Sequence, residues 1–101
     1  MAEWHRVASL DEMPTDIGLY VEVGRRELAL FLVNGTVYAI DNECPHREGP
    51  LWDGDLDGEI VTCPIHAWQI NVRTGEVPGV PNLCTRTYSV KVENGEIFVE
   101  I

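Results

Sequence analysis

The sequences CPH at residues 44–46 and CPIH at residues 63–66 are the two stretches that decide the fold of this chain. Sixteen residues separate them, so the chain presents the pattern C-x-H-x16-C-x2-H. Each stretch offers one thiolate and one imidazole, which are side chains that bind zinc and iron. Two such stretches hold either one zinc ion or two irons bridged by sulfide, with the cysteines on one iron and the histidines on the other. The pattern therefore predicts a metal centre built by two loops, with the ligands Cys44, His46, Cys63 and His66.

The residues that flank these stretches narrow the choice between one zinc ion and two bridged irons. Gly-Pro-Leu at residues 49–51 follows the first stretch, and Trp68 follows the second. With these flanks the pattern resembles the Rieske [2Fe-2S] family, and the resemblance extends over the whole chain. It implies one [2Fe-2S] cluster as the cofactor. A structural zinc site in an interaction module is the alternative, although zinc modules more often use paired C-x2-C or H-x3-H units.

Charge and hydropathy exclude several kinds of partner. Seven Lys and Arg against seventeen Asp and Glu give a net charge of -10. Nucleic acids and anionic membranes both require a basic surface, so neither is an expected partner. No apolar run is long enough to span a membrane, and the first residues lack the pattern of a secretory signal. With an odd number of cysteines, three, these features predict a cytoplasmic protein with metal-binding thiols rather than disulfides.

Two Asn-Gly pairs predict the main hairpins of the fold. Asn34-Gly35 lies between LALFLV at 28–33 and TVYAI at 36–40. Asn-Gly between apolar runs is the strongest short-range signal for a hairpin. Asn94-Gly95 predicts the second hairpin. Its first strand covers 87–93, with Tyr88, Val90 and Val92 on one face, and its second strand presents Ile97, Val99 and Ile101.

The remaining segments are short. Residues 3–8 and 18–23 are predicted strands, and Ser9 to Glu12 has the pattern of a capping box followed by about one helical turn. The sequence DGDLDG at 53–58 resembles the start of a calcium loop, but Pro64 stands where the last ligand is required, so we interpret it as a solvated acidic turn. Pro-Gly-Val-Pro at 78–81 is a predicted rigid loop, and the resemblance implies that a proline loop in this region covers the cluster.

Together these segments predict an all-β protein. The resemblance implies the Rieske iron-sulfur fold, with stacked antiparallel sheets. We expect a single domain over residues 1–101, with a cluster-binding subdomain at about 41–80 inserted between the two hairpins contributed by the chain ends.

The resemblance also implies a function. Rieske ferredoxins are soluble carriers that take single electrons from an NAD(P)H-dependent flavin reductase and pass them to a terminal oxygenase. High-potential members have a disulfide between the ligand loops, and Ser and Tyr hydroxyls after the last histidine. Here the matching positions are Gly49 and Ile65, and Trp68 and Ile70, so a low potential is predicted. The chain is thus expected to be an electron-transfer protein rather than an enzyme. The alternative is the small subunit of an NAD(P)H-dependent nitrite reductase.

Overall fold

A computed structural model describes residues 3–14, 17–42, 51–63 and 68–101, with the backbone alone for 80–84. Within these ranges the regular structure consists of strands and two short 3-10 turns, at Leu10–Glu12 and Leu51–Asp53. The strands are β1 Trp4–Ser9, β2 Leu19–Val23, β3 Arg26–Val33, β4 Thr36–Asp41, β5 Asp55–Asp57, β6 Ile60–Thr62, β7 Gln69–Asn71, β8 Glu76–Val77, β9 Val80–Cys84, β10 Thr87–Tyr88, β11 Val90–Glu93 and β12 Glu96–Glu100. The all-β prediction is confirmed. Among the described residues, no helix is long and apolar enough to cross a bilayer.

The central layer is a four-stranded antiparallel sheet with the order β10-β4-β3-β2. Its β3–β4 hairpin turns at Asn34-Gly35, as predicted. Both residues have positive φ angles, 50° and 82°, which is the conformation that a tight hairpin turn requires and that Asn and Gly adopt at low cost.

Strand β3 is buried on both faces, which explains why its sequence is apolar without alternation. Leu28 and Leu30 lie in one hydrophobic core, whereas Ala29 and Phe31 lie in another. All four side chains are 0% exposed. The central sheet is therefore covered on both sides.

The chain ends form the layer on one side, a three-stranded sheet with the order β1-β12-β11. The β11–β12 hairpin turns at Asn94-Gly95, as predicted, again with two positive φ angles. Ile97 and Val99 are 0% exposed and pack in the same core as Leu28 and Leu30. The predicted strand at 3–8 is confirmed as β1. The capping box is also confirmed, since the backbone N–H of Ser9 donates to Oε1 of Glu12 at 3.0 Å.

The predicted continuous strand at 87–93 was wrong. It is divided at Ser89 into β10, which pairs with β4, and β11, which pairs with β12. The chain thus passes from one sheet to the other within one residue. Val92, predicted to share the apolar face of Tyr88 and Val90, is 42% exposed. Alternation of apolar residues predicts two faces but not which sheet a strand joins.

The layer on the other side comes from the middle of the chain. It contains a three-stranded sheet with the order β5-β6-β7 and the two-stranded β8–β9 hairpin. Val61, Ile70, Val72 and Val77 pack there in the same core as Ala29 and Phe31. In this small sheet, β6 and β7 flank the stretch that contains the predicted ligands Cys63 and His66.

Two predictions in this layer need correction. The predicted rigid loop at 78–81 is a hairpin, in which Pro78 and Gly79 form the turn and residues 80–81 belong to β9. Gly79 has a φ angle of 84°, so the Pro-Gly pair is in the order that a type II turn favours. Whether this hairpin covers the cluster stays a prediction. In the predicted acidic turn at 53–58, Asp55–Asp57 is instead strand β5, although both its aspartates are exposed.

Candidate metal centre

The structure places one of the four predicted ligands, Cys63. It directly follows β6, is 1% exposed and packs in the core that includes Ile70 and Val61. Cys44, His46 and His66 lie outside the described residues, as do Gly49 and Ile65 and the side chain of Cys84. Among the residues that are described, no group of three His, Cys, Asp or Glu side chains is arranged to hold a metal ion.

The segment that carries Cys44 and His46 begins at Asn42 and ends at Leu51, and these two ends are hydrogen-bonded to each other. The backbone N–H of Leu51 donates to the carbonyl oxygen of Asn42 at 2.8 Å. The backbone N–H of Trp52 donates to Oδ1 of the Asn42 side chain at 3.0 Å. Asn42 is only 6% exposed. We call this arrangement of Asn42, Leu51 and Trp52 the first neck.

The segment that carries His66 is closed in a similar way. The backbone N–H of Cys63 donates to the carbonyl oxygen of Trp68 at 2.7 Å. Beyond this bond β6 and β7 continue as an antiparallel pair, in which Thr62 lies opposite Gln69. Residues 63–68 are therefore the connection of a β-hairpin. We call the Cys63–Trp68 closure the second neck.

The two necks are packed together. Leu51 is 0% exposed and belongs to the same hydrophobic core as Cys63. Gly54 follows the 3-10 turn at Leu51–Asp53 and lies so close to β6 that a Cβ on it would overlap the carbonyl oxygen of Thr62. Glycine is required at such a backbone approach because it has no Cβ. The base of one segment is thus fixed against the base of the other.

The residues after the second neck form an apolar environment. Ile70 is 0% exposed in the core around Cys63, and Trp68 is half-buried against the same core. Neither side chain has a hydroxyl.

A polar network at the end of β4 was not predicted from the sequence. The hydroxyl of Tyr88 donates to Oδ1 of Asp41 at 2.5 Å, and Nη1 of Arg26 donates to the Tyr88 oxygen at 3.2 Å. Partial burial, and then the bond to Asp41, raise the pKa of Tyr88 above its ordinary value. Asp41 directly precedes Asn42, so the network ties β10 to the residue next to the first neck. No local sequence pattern predicts the contact between Tyr88 and Asp41, because these residues are 47 positions apart in the sequence.

The donor chemistry fits an iron-sulfur cluster. A buried thiol at the end of a strand, in an apolar core, suits thiolate ligation of a soft metal centre away from water. A hairpin connection and a second closed segment, packed against each other at their bases, suit ligands contributed by two loops. The fold and the position of Cys63 agree with a Rieske-type iron-sulfur protein.

Comparisons with known proteins agree. Residues 3–92 match the family model of the Rieske [2Fe-2S] domain, so the chain belongs to that family and its cofactor is one Rieske-type [2Fe-2S] cluster. The chain is 36% identical to the ferredoxin component of the naphthalene 1,2-dioxygenase/salicylate 5-hydroxylase systems of Ralstonia sp, over 97% of this chain and 95% of that protein.

Two further matches bear on partners. In a solved complex of reduced oxygenase and oxidized ferredoxin of carbazole 1,9a-dioxygenase, a chain is 32% identical with a TM-score of 0.83, covering 95% of this chain and 91% of that one. The large subunit of the NAD(P)H nitrite reductase of Klebsiella oxytoca is 35% identical over 95% of this chain, but the match covers only 11% of that protein.

Proposed function

We propose that this protein is the ferredoxin component of a multicomponent oxygenase system. It accepts single electrons from an NAD(P)H-dependent flavin reductase and delivers them to a terminal oxygenase. One observation carries the proposal, namely the end-to-end match to a ferredoxin component, which covers 95% of that relative. The alternative of a nitrite reductase small subunit is less favoured, because the solved small subunits that match this chain are 22% and 21% identical to it, a likeness that shows the fold alone.

Within this proposal, Cys44 and Cys63 bind one iron and His46 and His66 bind the other. The position of Cys63 supports the assignment, since it is buried at the second neck. Cys44 and His46 follow Asn42 by two and four residues, so they belong to the segment that the first neck closes. Loop pairs of this kind supply Cys to one iron and His to the other in Rieske centres.

The cluster, when bound, takes up and releases one electron. The chain fixes the ligands and controls their surroundings. Cys63 packs in the core with Leu51, Val61 and Ile70, which would exclude water from an iron held by this thiolate. We assign the exchange of electrons to the histidine side, because an imidazole that binds iron through one nitrogen keeps a second nitrogen with which it could contact a partner.

We further propose a potential near the low end of the Rieske range, about -150 mV. Two thiolates and two neutral imidazoles leave the oxidised cluster with no net charge, which raises its potential above that of a four-cysteine cluster. Trp68 and Ile70 then withhold the hydroxyl donors that would stabilise the reduced cluster further.

Electron transfer to a purified terminal oxygenase tests the function. The reduced holo-protein is mixed with the oxidised oxygenase in a stopped-flow instrument, and the return of the oxidised absorbance is followed. We expect second-order transfer that slows as salt is added, because a chain with a net charge of -10 is steered towards a basic surface on its partner. Stable co-purification with a large reductase, and no transfer to an oxygenase, would support the nitrite reductase alternative instead.

The cytoplasmic location belongs to the same proposal. Thiolate ligands and a flavin reductase using NAD(P)H both suit a reducing compartment. Fractionation of cells that express the chain at its natural level checks it: the chain should appear with cytoplasmic markers, and recovery with membrane or exported fractions would contradict the assignment.

A further inference from the structure

We infer that Asn42 is a positioning residue, whose side-chain oxygen holds the two ends of the first ligand segment together and so helps to keep Cys44 and His46 on the cluster. This inference rests on the proposed ligand set. Asn42 is not itself a ligand, and the atom that positions the segment is its Oδ1, which accepts the backbone N–H of Trp52.

The first step is the hydrogen bonding of Asn42. Its backbone N–H donates to the carbonyl oxygen of Glu27 at 2.9 Å, which fixes Asn42 to the start of β3. Its carbonyl oxygen and Oδ1 then accept the N–H groups of Leu51 and Trp52, at 2.8 and 3.0 Å. Three bonds thus hold a residue that is 6% exposed. Loss of a buried acceptor leaves an N–H without its bond, which destabilises the arrangement.

The second step is a difference between the necks. The second neck is closed by two backbone groups, of Cys63 and Trp68, within a hairpin that β6 and β7 would hold in any case. In the described part of the chain, no such pair of strands flanks the first neck, because β4 ends at Asp41 and Leu51 begins a 3-10 turn. Its closure consists of one backbone bond, from Leu51 to the carbonyl oxygen of Asn42, and one side-chain bond, from Trp52 to Oδ1 of Asn42. The identity of residue 42 therefore matters for the second of these bonds.

The third step is the route from the first neck to Cys63. Trp52, held by Oδ1 of Asn42, is followed after one residue by Gly54, which abuts the carbonyl oxygen of Thr62 next to Cys63. The carbonyl oxygen of Trp52 also accepts the N–H of Gly18 at 2.9 Å. Release of Trp52 from Asn42 would therefore loosen the first segment relative to the second, and the two segments share one cluster in the proposed site.

The test compares three substitutions in the holo-protein: Asn42→Ala, Asn42→Asp and Asn71→Ala. Asn42→Ala removes Oδ1, whereas Asn42→Asp keeps an oxygen acceptor at the same place. Asn71→Ala is the matched control, since Oδ1 of Asn71 also accepts two backbone N–H groups, of Arg73 and Thr74, at 2.9 and 3.2 Å, but in a turn after β7. Iron release to a chelator is timed well below the melting temperature, and the electron paramagnetic resonance spectrum is recorded after reduction with dithionite.

We expect Asn42→Ala to release iron at least tenfold faster than the unsubstituted protein and to show a broadened resonance spectrum. Asn42→Asp should release iron within about threefold of the unsubstituted rate, and Asn71→Ala should lose thermal stability but keep its iron release and spectrum. A purely structural role for Asn42 would lower the melting temperature without these changes.

Three outcomes would overturn the inference. One is an Asn42→Ala protein with unchanged iron release and spectrum, and another is an Asn71→Ala protein that is affected as strongly. The third is an Asn42→Asp protein that loses iron as fast as Asn42→Ala. If Asn42→Ala fails to fold, Asn42→Asp is compared with the unsubstituted protein, and iron release at least tenfold faster than that of the unsubstituted protein overturns the inference. If the unsubstituted protein itself lacks a Rieske spectrum, the proposed ligand set fails, which is a separate result from an unaffected Asn42 variant.

Discussion

The hydroxyl of Tyr88 is hydrogen-bonded to the carboxylate of Asp41 at 2.5 Å, across 47 residues of sequence. Asp41 is the last residue of β4, and the first ligand segment follows it after Asn42. The bond therefore attaches the short strand β10 to the strand that leads to the predicted metal centre. Its contribution to stability can be measured directly.

Tyr88→Phe should lower the free energy of unfolding by about 1 kcal/mol at pH 7, because it removes the hydroxyl that Asp41 and Arg26 share. The pKa of Tyr88 is raised in the folded protein, so its contribution is complete below the ordinary tyrosine pKa of about 10 and is lost as the pH rises through the folded pKa. Denaturant unfolding at pH 7 and at alkaline pH should show a difference between the two proteins that shrinks at alkaline pH.

Tyr20→Phe is the control for this prediction. The Tyr20 hydroxyl donates to Oε1 of Glu22 at 2.7 Å, but on the surface, where the bond to Glu22 raises the pKa of Tyr20 to about 12. Exposed pairs contribute little to stability, so at pH 7 this substitution should cost less than Tyr88→Phe. Equal losses for the two substitutions would show that the Tyr88–Asp41 bond has no special structural importance.

Gly54→Ala should destabilise the protein by about 2 kcal/mol, because the new methyl group would overlap the carbonyl oxygen of Thr62. The strain falls between the two necks, so the purified protein should also contain less iron per chain. Calorimetry and iron analysis measure both effects. Gly58→Ala provides the comparison, since Gly58 has a φ angle of 62° but open space around it. That substitution should cost about 1 kcal/mol and leave the iron content unchanged.

Trp68→Ser should raise the reduction potential, because it places a hydroxyl two residues after His66, where high-potential relatives have one. If the hydroxyl stabilises the reduced cluster by about 1 kcal/mol, the one-electron potential rises by about 40 mV. Protein-film voltammetry measures this. Trp52→Ser is the matched control, because Trp52 is also half-buried against the core of Cys63. A potential for the unsubstituted protein above roughly +100 mV would contradict the argument from Trp68 and Ile70.

Local signals in the sequence predicted much of the fold. Asn34-Gly35 and Asn94-Gly95 turn as expected because Asn and Gly accept positive φ angles at low cost. Strand β3 has apolar residues on both of its faces, and both faces are buried, as its composition indicated. Patterns that depend on neighbouring residues are thus readable without a structure.

Contacts between distant residues were not predictable in the same way. The division of 87–93 at Ser89 depends on which sheet each half joins, and alternation is the same in either case. The hydrogen bond from Trp52 to Asn42 and the contact of Gly54 with Thr62 depend on the three-dimensional arrangement of the two necks, so the sequence alone does not predict them. For the metal centre, the sequence supplied the four ligands as a prediction, and the structure added how the segments that carry them are closed.

The central claim is that two cysteines and two histidines share a pair of irons. Pulsed electron paramagnetic resonance of the dithionite-reduced protein tests it most directly, because it detects nitrogen nuclei bound to the paramagnetic cluster. We expect couplings from two imidazole nitrogens, one of which disappears in each of the variants His46→Cys and His66→Cys that retain a cluster. A cluster without nitrogen coupling, or a colourless protein in which elemental analysis finds zinc, would contradict the account.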